Sequence, residues 1–210
     1  IAGKVNPSGR LSTTWAVDYF DYPSSRDFPY EYDQQAYNRA RGEAKDTFPN
    51  VGRTFYNEKL NVGYRYFQEH ADKVSFAFGY GLSYTTFQYT GAAVKKSGKN
   101  YVATVKVTNT GAVAGKEVVQ LYIEAPDRPA GSPQKELKSF AKTGILQPGE
   151  SQTVTMTFTP YCIAYYDMKT NTWVTNAGTY NAYFMKSSAD SANAVPFKVT
   201  AASFPAQPGF

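Results

Sequence analysis

From Phe87 onward the chain alternates apolar and polar positions with a period of two, the mark of strands that bury one face. In the run 101–108, Tyr101, Ala103, Val105 and Val107 share one side, and Thr104, Lys106 and Thr108 the other. Val119, Leu121 and Ile123 form a second such set. Leu137 and Phe140 suggest a short, bulged strand, and in 152–159 Val154, Met156 and Phe158 face in while four threonines face out. Ile163 to Tyr166 and Trp173–Val174 flank a predicted hairpin turn at 167–171. Tyr180, Ala182 and Phe184, then Val195, Phe197 and Val199, complete the set. Turn formers separate these runs: 109–115, the triple-proline stretch 125–133, and Gln147-Pro-Gly-Glu150. Seven or eight short strands in this arrangement predict an antiparallel β-sandwich of the immunoglobulin or fibronectin type III kind.

The first 82 residues carry a different pattern. Turn formers dominate at 6–9 and 21–25, Glu31 to Asp46 supports at best a frayed helix, and Leu60 to Phe67 reads as a strand. The fold class is therefore mainly β: an antiparallel sandwich preceded by a loop-rich segment of some 80 residues. Composition agrees. Eighteen Tyr, 14 Phe and two Trp stand against six Leu, which suits pleated surfaces and cannot supply the apolar stripes of a helical bundle. The early segment has too few aliphatic residues to close a core alone, so it needs a partner surface.

The net charge of +5 over 210 residues is modest. Its densest basic group, Lys95, Lys96 and Lys99, reads as a hairpin end, so neither a nucleic-acid nor a membrane partner is expected. A single histidine and a single cysteine exclude multi-ligand His/Cys metal centres, and no metal or cofactor is expected. His70 reads as part of a solvated loop and Cys162 as a buried, inert thiol. Gly79-Tyr-Gly81-Leu-Ser83 lacks both the third glycine of a dinucleotide fingerprint and the second glycine of a nucleophile elbow, which leaves a tight boundary turn.

That turn lies inside a longer motif, Phe78-Gly-Tyr-Gly-Leu-Ser-Tyr-Thr-Thr-Phe87, which resembles the domain junction of glycoside hydrolase family 3, the β-glucosidase group. The segments 3–11 (GKVNPSGRL), 61–67 (NVGYRYF), 134–140 (QKELKSF), 108–111 (TNTG), 115–122 (GKEVVQLY) and 146–150 (LQPGE) extend the resemblance, in order, over almost the whole chain. It implies a three-domain enzyme with a barrel bearing the nucleophilic aspartate and an α/β sandwich domain bearing the acid/base glutamate. A fibronectin type III-like domain completes it, and the resemblance implies that the present chain covers the end of the second domain, an incomplete, loop-rich α/β segment at 1–82, and the whole of the third at 83–210. The implied activity is retaining hydrolysis of terminal β-D-glucosyl or xylosyl units, with an oligosaccharide or an aryl or alkyl β-glycoside as substrate. The implied partners are the missing barrel and sandwich portions, on the same or another chain, and a homo-oligomer stays open.

No catalytic residue is expected in this chain. The nucleophile motif has no counterpart, and neither role is assigned to Glu31, Glu43 or Glu58. Asp18 and Asp21 read as a solvated pair. Candidate substrate-binding residues are Trp15 and Tyr19, in an aromatic loop that also holds Phe20 and Tyr22, together with Tyr64 and Arg65 on the expected strand. The competing expectation for the loop is that it docks on the missing domain. The competing expectation for the whole chain is a non-catalytic carbohydrate-binding or adhesion module.

Overall fold

A computed structural model describes residues 3–26, 57–127 and 129–206. The helix expected at Glu31–Asp46 lies outside the described residues. Twelve strands run in chain order among them. β1 (Trp15–Ala16) and β2 (Val74–Phe76) pair as a small ribbon. β3 (Phe87–Ser97), β4 (Asn100–Asn109) and β7 (Ser151–Phe158) form one sheet in the order β3-β4-β7. The opposing sheet has the order β11-β10-β5-β6, from β5 (Val118–Glu124), β6 (Glu136–Lys142), β10 (Gly178–Met185) and β11 (Val195–Val199). A third, smaller sheet joins β8 (Tyr165–Asp167), β9 (Thr172–Thr175) and β12 (Ala202–Pro205) in the order β12-β9-β8. All recorded pairings are antiparallel.

The predicted inward positions fill the space between the two main sheets. Tyr101, Ala103, Val105 and Val107 of β4 meet Val154, Met156 and Phe158 of β7 and Leu121, Ala182, Phe184 and Phe197 of the opposing sheet in one buried cluster. Tyr101 stacks on Phe158 at 5.4 Å and meets Phe197 edge-on at 5.5 Å. Aromatic rings do the filling that Leu does elsewhere, which accounts for the composition. The β5–β6 register slips between Leu121 and Tyr122, which gives the expected bulge. Phe140, on the same strand, is 69% exposed.

The early segment does not stand apart. It clads the outer face of β5 and β10, where Gln120, Tyr122 and Met185 are buried as deeply as the core. Tyr122 lies edge-on to Tyr64 at 5.8 Å, and Tyr64 packs on Phe78 at 4.9 Å. Gln120 donates through Nε2 to the carbonyls of Gly79 (3.1 Å) and Lys186 (2.6 Å). The strand expected at Leu60–Phe67 is instead a turn followed by one helical turn, α1 (Tyr64–Phe67). Gly63 enters it at φ +58°, a conformation that an ordinary strand residue avoids, and the N–H groups of Arg65, Tyr66 and Phe67 bond back to Val62 and Gly63 rather than across a ladder. Cys162 also departs from expectation. It sits exposed in a 3₁₀ turn, Pro160–Ile163, capped by the Thr159 hydroxyl, and the apolar demand is met by its neighbour Ile163.

Candidate functional site

Two features mark the joint between the early segment and the sandwich: a buried polar bolt and an open cleft. The bolt centres on Glu117, 2% exposed at the entrance to β5. Arg10 donates through Nη2 to its Oε1 at 2.7 Å and through Nη1 to the Gly81 carbonyl at 3.3 Å. The Tyr89 hydroxyl donates to the same Oε1 at 2.8 Å. Burial pushes the Glu117 carboxyl above its ordinary value, against the pull of Arg10. Burial, and then the charge of Glu117, hold the Tyr89 phenol well above the usual tyrosine range. Asn6 adds a second fastening: its Nδ2 donates to Ala114 O at 3.1 Å, and its Oδ1 accepts from Ser83 Oγ and Tyr84 N at 3.1 and 2.9 Å.

The glycines of the boundary turn exist for this joint. A Cβ on Gly81 would sit 2.3 Å from the Gly9 carbonyl oxygen, and one on Gly79, at φ +79°, would run into the Gln120 amide. Leu11 and this turn exchange backbone bonds, Leu11 N to Tyr80 O and Gly79 N to Leu11 O, both 2.8 Å.

Beside the bolt lies a cleft of about 490 Å³ between α1, β2 and the sandwich loops. Its apolar rim is Phe76 and Tyr80, with rings 5.4 Å apart. Its far side is polar, from Gln134, Lys135 and the 187–191 turn, and the buried Thr14 lines its floor. Gln68 holds the polar side in place, donating to Lys135 O at 2.6 Å and accepting from Lys135 N at 2.9 Å.

The four candidate substrate residues divide into two pairs. Trp15 is 55% exposed and lies edge-on to Phe76 at 6.4 Å, so it extends the cleft's aromatic rim. Tyr19 is exposed in a 3₁₀ turn against Phe20. Tyr64 lines the cleft at the joint, where its hydroxyl accepts from Leu137 N at 2.9 Å, and Arg65 pairs with Glu136 at 2.9 Å. Asp18 and Asp21 cap the turn that carries Tyr19, and Asp21 reaches Lys73 at 3.4 Å. His70 is half-buried, stacked on Tyr66 at 4.1 Å.

The remaining described carboxylates with recorded contacts are committed elsewhere. Glu124 accepts from Tyr183 Oη at 2.6 Å, and burial followed by this bond pushes the phenol up to about 12. Asp167 caps the exposed β8–β9 turn, its carboxyl held below the usual range by the Lys169 and Thr170 donors. No group of three or more His, Cys, Asp or Glu that could hold a metal occurs among the described residues. Arg10, Glu117, Phe76, Tyr80 and Lys135 were not singled out from sequence. The available signal for the bolt was a lone acid heading the uncharged run Val118–Ile123, paired with an arginine in a glycine-flanked turn.

A fibronectin type III-like family model matches residues 117–188. Beta-glucosidase A of Butyrivibrio fibrisolvens is 39% identical over 205 residues, covering 87% of this chain and 22% of that protein. The structure of beta-glucosidase 3B from Thermotoga neapolitana in complex with α-D-glucose superposes with a TM-score of 0.82 at 36% identity, covering 97% of this chain and 26% of that one. Over most of its length this chain is similar to one region of family 3 β-glucosidases. Another relative, an exo-α-(1→6)-L-arabinopyranosidase of Bifidobacterium breve, is 38% identical over 197 residues. The chain spans about a fifth to a quarter of the length of these relatives. The motifs shared with family 3 now have physical roles: the residues that carry the resemblance, Asn6, Arg10, Gly79, Gly81 and Glu117, are those that fasten the early segment to the sandwich.

Proposed function

We propose that this chain is the bracing part of a family 3 β-glycosidase that hydrolyses terminal β-linked glucosyl or xylosyl units. In this reading residues 1–82 end an α/β sandwich domain, 83–210 form the fibronectin type III-like domain, and the catalytic carboxylates lie elsewhere in a longer enzyme. The observation that carries it is the Arg10–Glu117–Tyr89 bolt, which fastens the early segment to the sandwich and commits Oε1 of the buried acid to two donors. Retaining hydrolysis needs two carboxyl groups about 5–5.5 Å apart, one of them ready to give up a proton. Asp18, Asp21, Glu124, Glu136, Glu150 and Asp167 serve as turn caps, ion pairs and strand-end acceptors instead.

The exposed aromatic ridge of Trp15, Phe20 and Phe76 is then the face that meets the remainder of the enzyme or edges its sugar site. The brace does not by itself specify the sugar, since a β-glucosidase and an exo-α-(1→6)-L-arabinopyranosidase are about equally similar to this chain. The test is hydrolysis of an aryl β-glucoside by the purified 210-residue chain. Release of phenol no faster than the buffer blank is expected, and enzymatic turnover would overturn the reading.

A further inference from the structure

We propose that the cleft between α1, β2 and the 187–191 turn is a glycan-binding site, one that holds an uncharged pyranose unit. The choice of a sugar leans on the family reading above, but the chemistry of the walls stands by itself. At about 490 Å³ the cleft falls within the roughly 300–1,000 Å³ range of small-molecule sites.

One wall offers the exposed rings of Phe76 and Tyr80, tilted 47° to each other, against which the C–H face of a pyranose can lie. The other wall draws on residues of both signs, Lys135, whose Nζ lies over the Tyr183 ring at 4.9 Å, and Asp190, together with Gln134 and the serines of the 187–191 turn. A ligand of single charge would meet an opponent there. A ring of neutral hydroxyls, each both donor and acceptor, can satisfy all of them.

The walls are built rather than loose. The 187–191 turn is closed by Asp190 Oδ2 accepting from Lys186 N at 3.0 Å, and it is tied to the early segment by Ser188 N donating to Phe78 O at 2.9 Å. At the floor, Thr14 is 2% exposed and its Oγ1 has no hydrogen-bond partner among the described residues. That hydroxyl is sealed from solvent, so the ligand contacts rest on the walls above it.

The experiment is a titration of the full 210-residue chain with cellobiose and D-glucose, followed by calorimetry and by ¹H–¹⁵N spectra. Saturation with a Kd on the order of 1 mM is expected for a ligand of this size in an open cleft. Shifts should be confined to Tyr80, 134–135 and 187–191. Tyr80→Ala and Gln134→Ala should each weaken binding at least about fivefold. Met168→Ala, on the exposed β8–β9 turn, should leave it unchanged. Gln134 is exposed and makes no recorded side-chain bond, so its variant keeps the test decisive if Tyr80→Ala folds poorly. No saturation well above that concentration, indifference to both cleft variants, or shifts centred on the β8–β9 sheet would each overturn the proposal. Binding without turnover leaves the bracing role standing, whereas turnover by the chain would strike that role alone.

Discussion

Replacing Arg10 with methionine is expected to destabilise the chain by about 3 kcal/mol. Methionine keeps most of the aliphatic stem, so the loss is that of the guanidinium. Two bonds go with it: the short charged contact to Glu117 at 2.7 Å and the weaker one to the Gly81 carbonyl at 3.3 Å. A hydrogen bond to a charged group is worth about 1.5–3 kcal/mol net, and a neutral one about 1 kcal/mol. Glu117, 2% exposed, is then left with Tyr89 alone, and stranding a buried charge costs about 3–5 kcal/mol. Arg10 itself keeps 16% of its side-chain exposure, which places the value at the lower end of that range. Urea unfolding read at Trp15, in the early segment, and at Trp173, in the small sheet, follows both parts of the chain; for this size the loss also appears as roughly 6–12 °C in Tm. A cycle with Glu117→Gln should return a coupling of about 2 kcal/mol. A cost below about 1 kcal/mol, or additive single effects, would refute the bolt as a shared buried pair.

Further outcomes test the same joint and core. Burial raises the Glu117 carboxyl above its ordinary 4.5, so the folded state holds the proton more tightly than the unfolded one. Its contribution to stability is complete below that value and falls as pH climbs through the raised one. The stability gap between wild type and Glu117→Gln should therefore narrow as pH rises above about 4.5; a widening gap in chemical denaturation would mean that Arg10 outweighs burial. Gly81→Ala should cost more than about 2 kcal/mol because its Cβ meets a backbone oxygen, whereas Gly9→Ala, with open space around it, should stay within about 0.5 kcal/mol in thermal melts. Leu121→Ala in the core should cost about 3 kcal/mol, while Phe140→Ala, on the exposed end of β6, should change stability by less than about 0.5 kcal/mol.

The sandwich was legible because most of its strands bury one face. Period two at Tyr101–Val107 and Val154–Phe158 is a direct imprint of that one-sidedness. β5 broke the rule: Gln120 and Tyr122 alternate as though solvent-facing, yet both are buried because the early segment covers them. The warning lay in the complete absence of charge from Val118 to Ile123. The Leu60–Phe67 misreading has a similar root. Tyr64 and Tyr66 share the spacing of a strand face, but the chain there has no ladder partner and closes on itself after Gly63. Cys162 shows the limit of neighbour-based reasoning, since a one-turn helix sends adjacent side chains to opposite environments. At the cleft, aromatic content was legible but convergence was not, because Phe76, Gln134 and Asp190 come together only through long-range pairing.

The cladding of β5 and β10 bears on how such a domain can be inherited. A sandwich finished on its own could be copied into any gene and would fold wherever it landed. This one has a sheet whose outer surface contains a buried Tyr, Gln and Met, and it carries an acid whose counter-ion sits more than a hundred residues upstream. Moved alone, it would arrive with a sticky flank and an unpaired charge. The region matched by the family model, 117–188, is less transferable still, for it omits β3, β4 and β11. The unit that would carry its contacts with it when moved is therefore the sandwich together with its Asn-Pro-Ser-Gly-Arg strap.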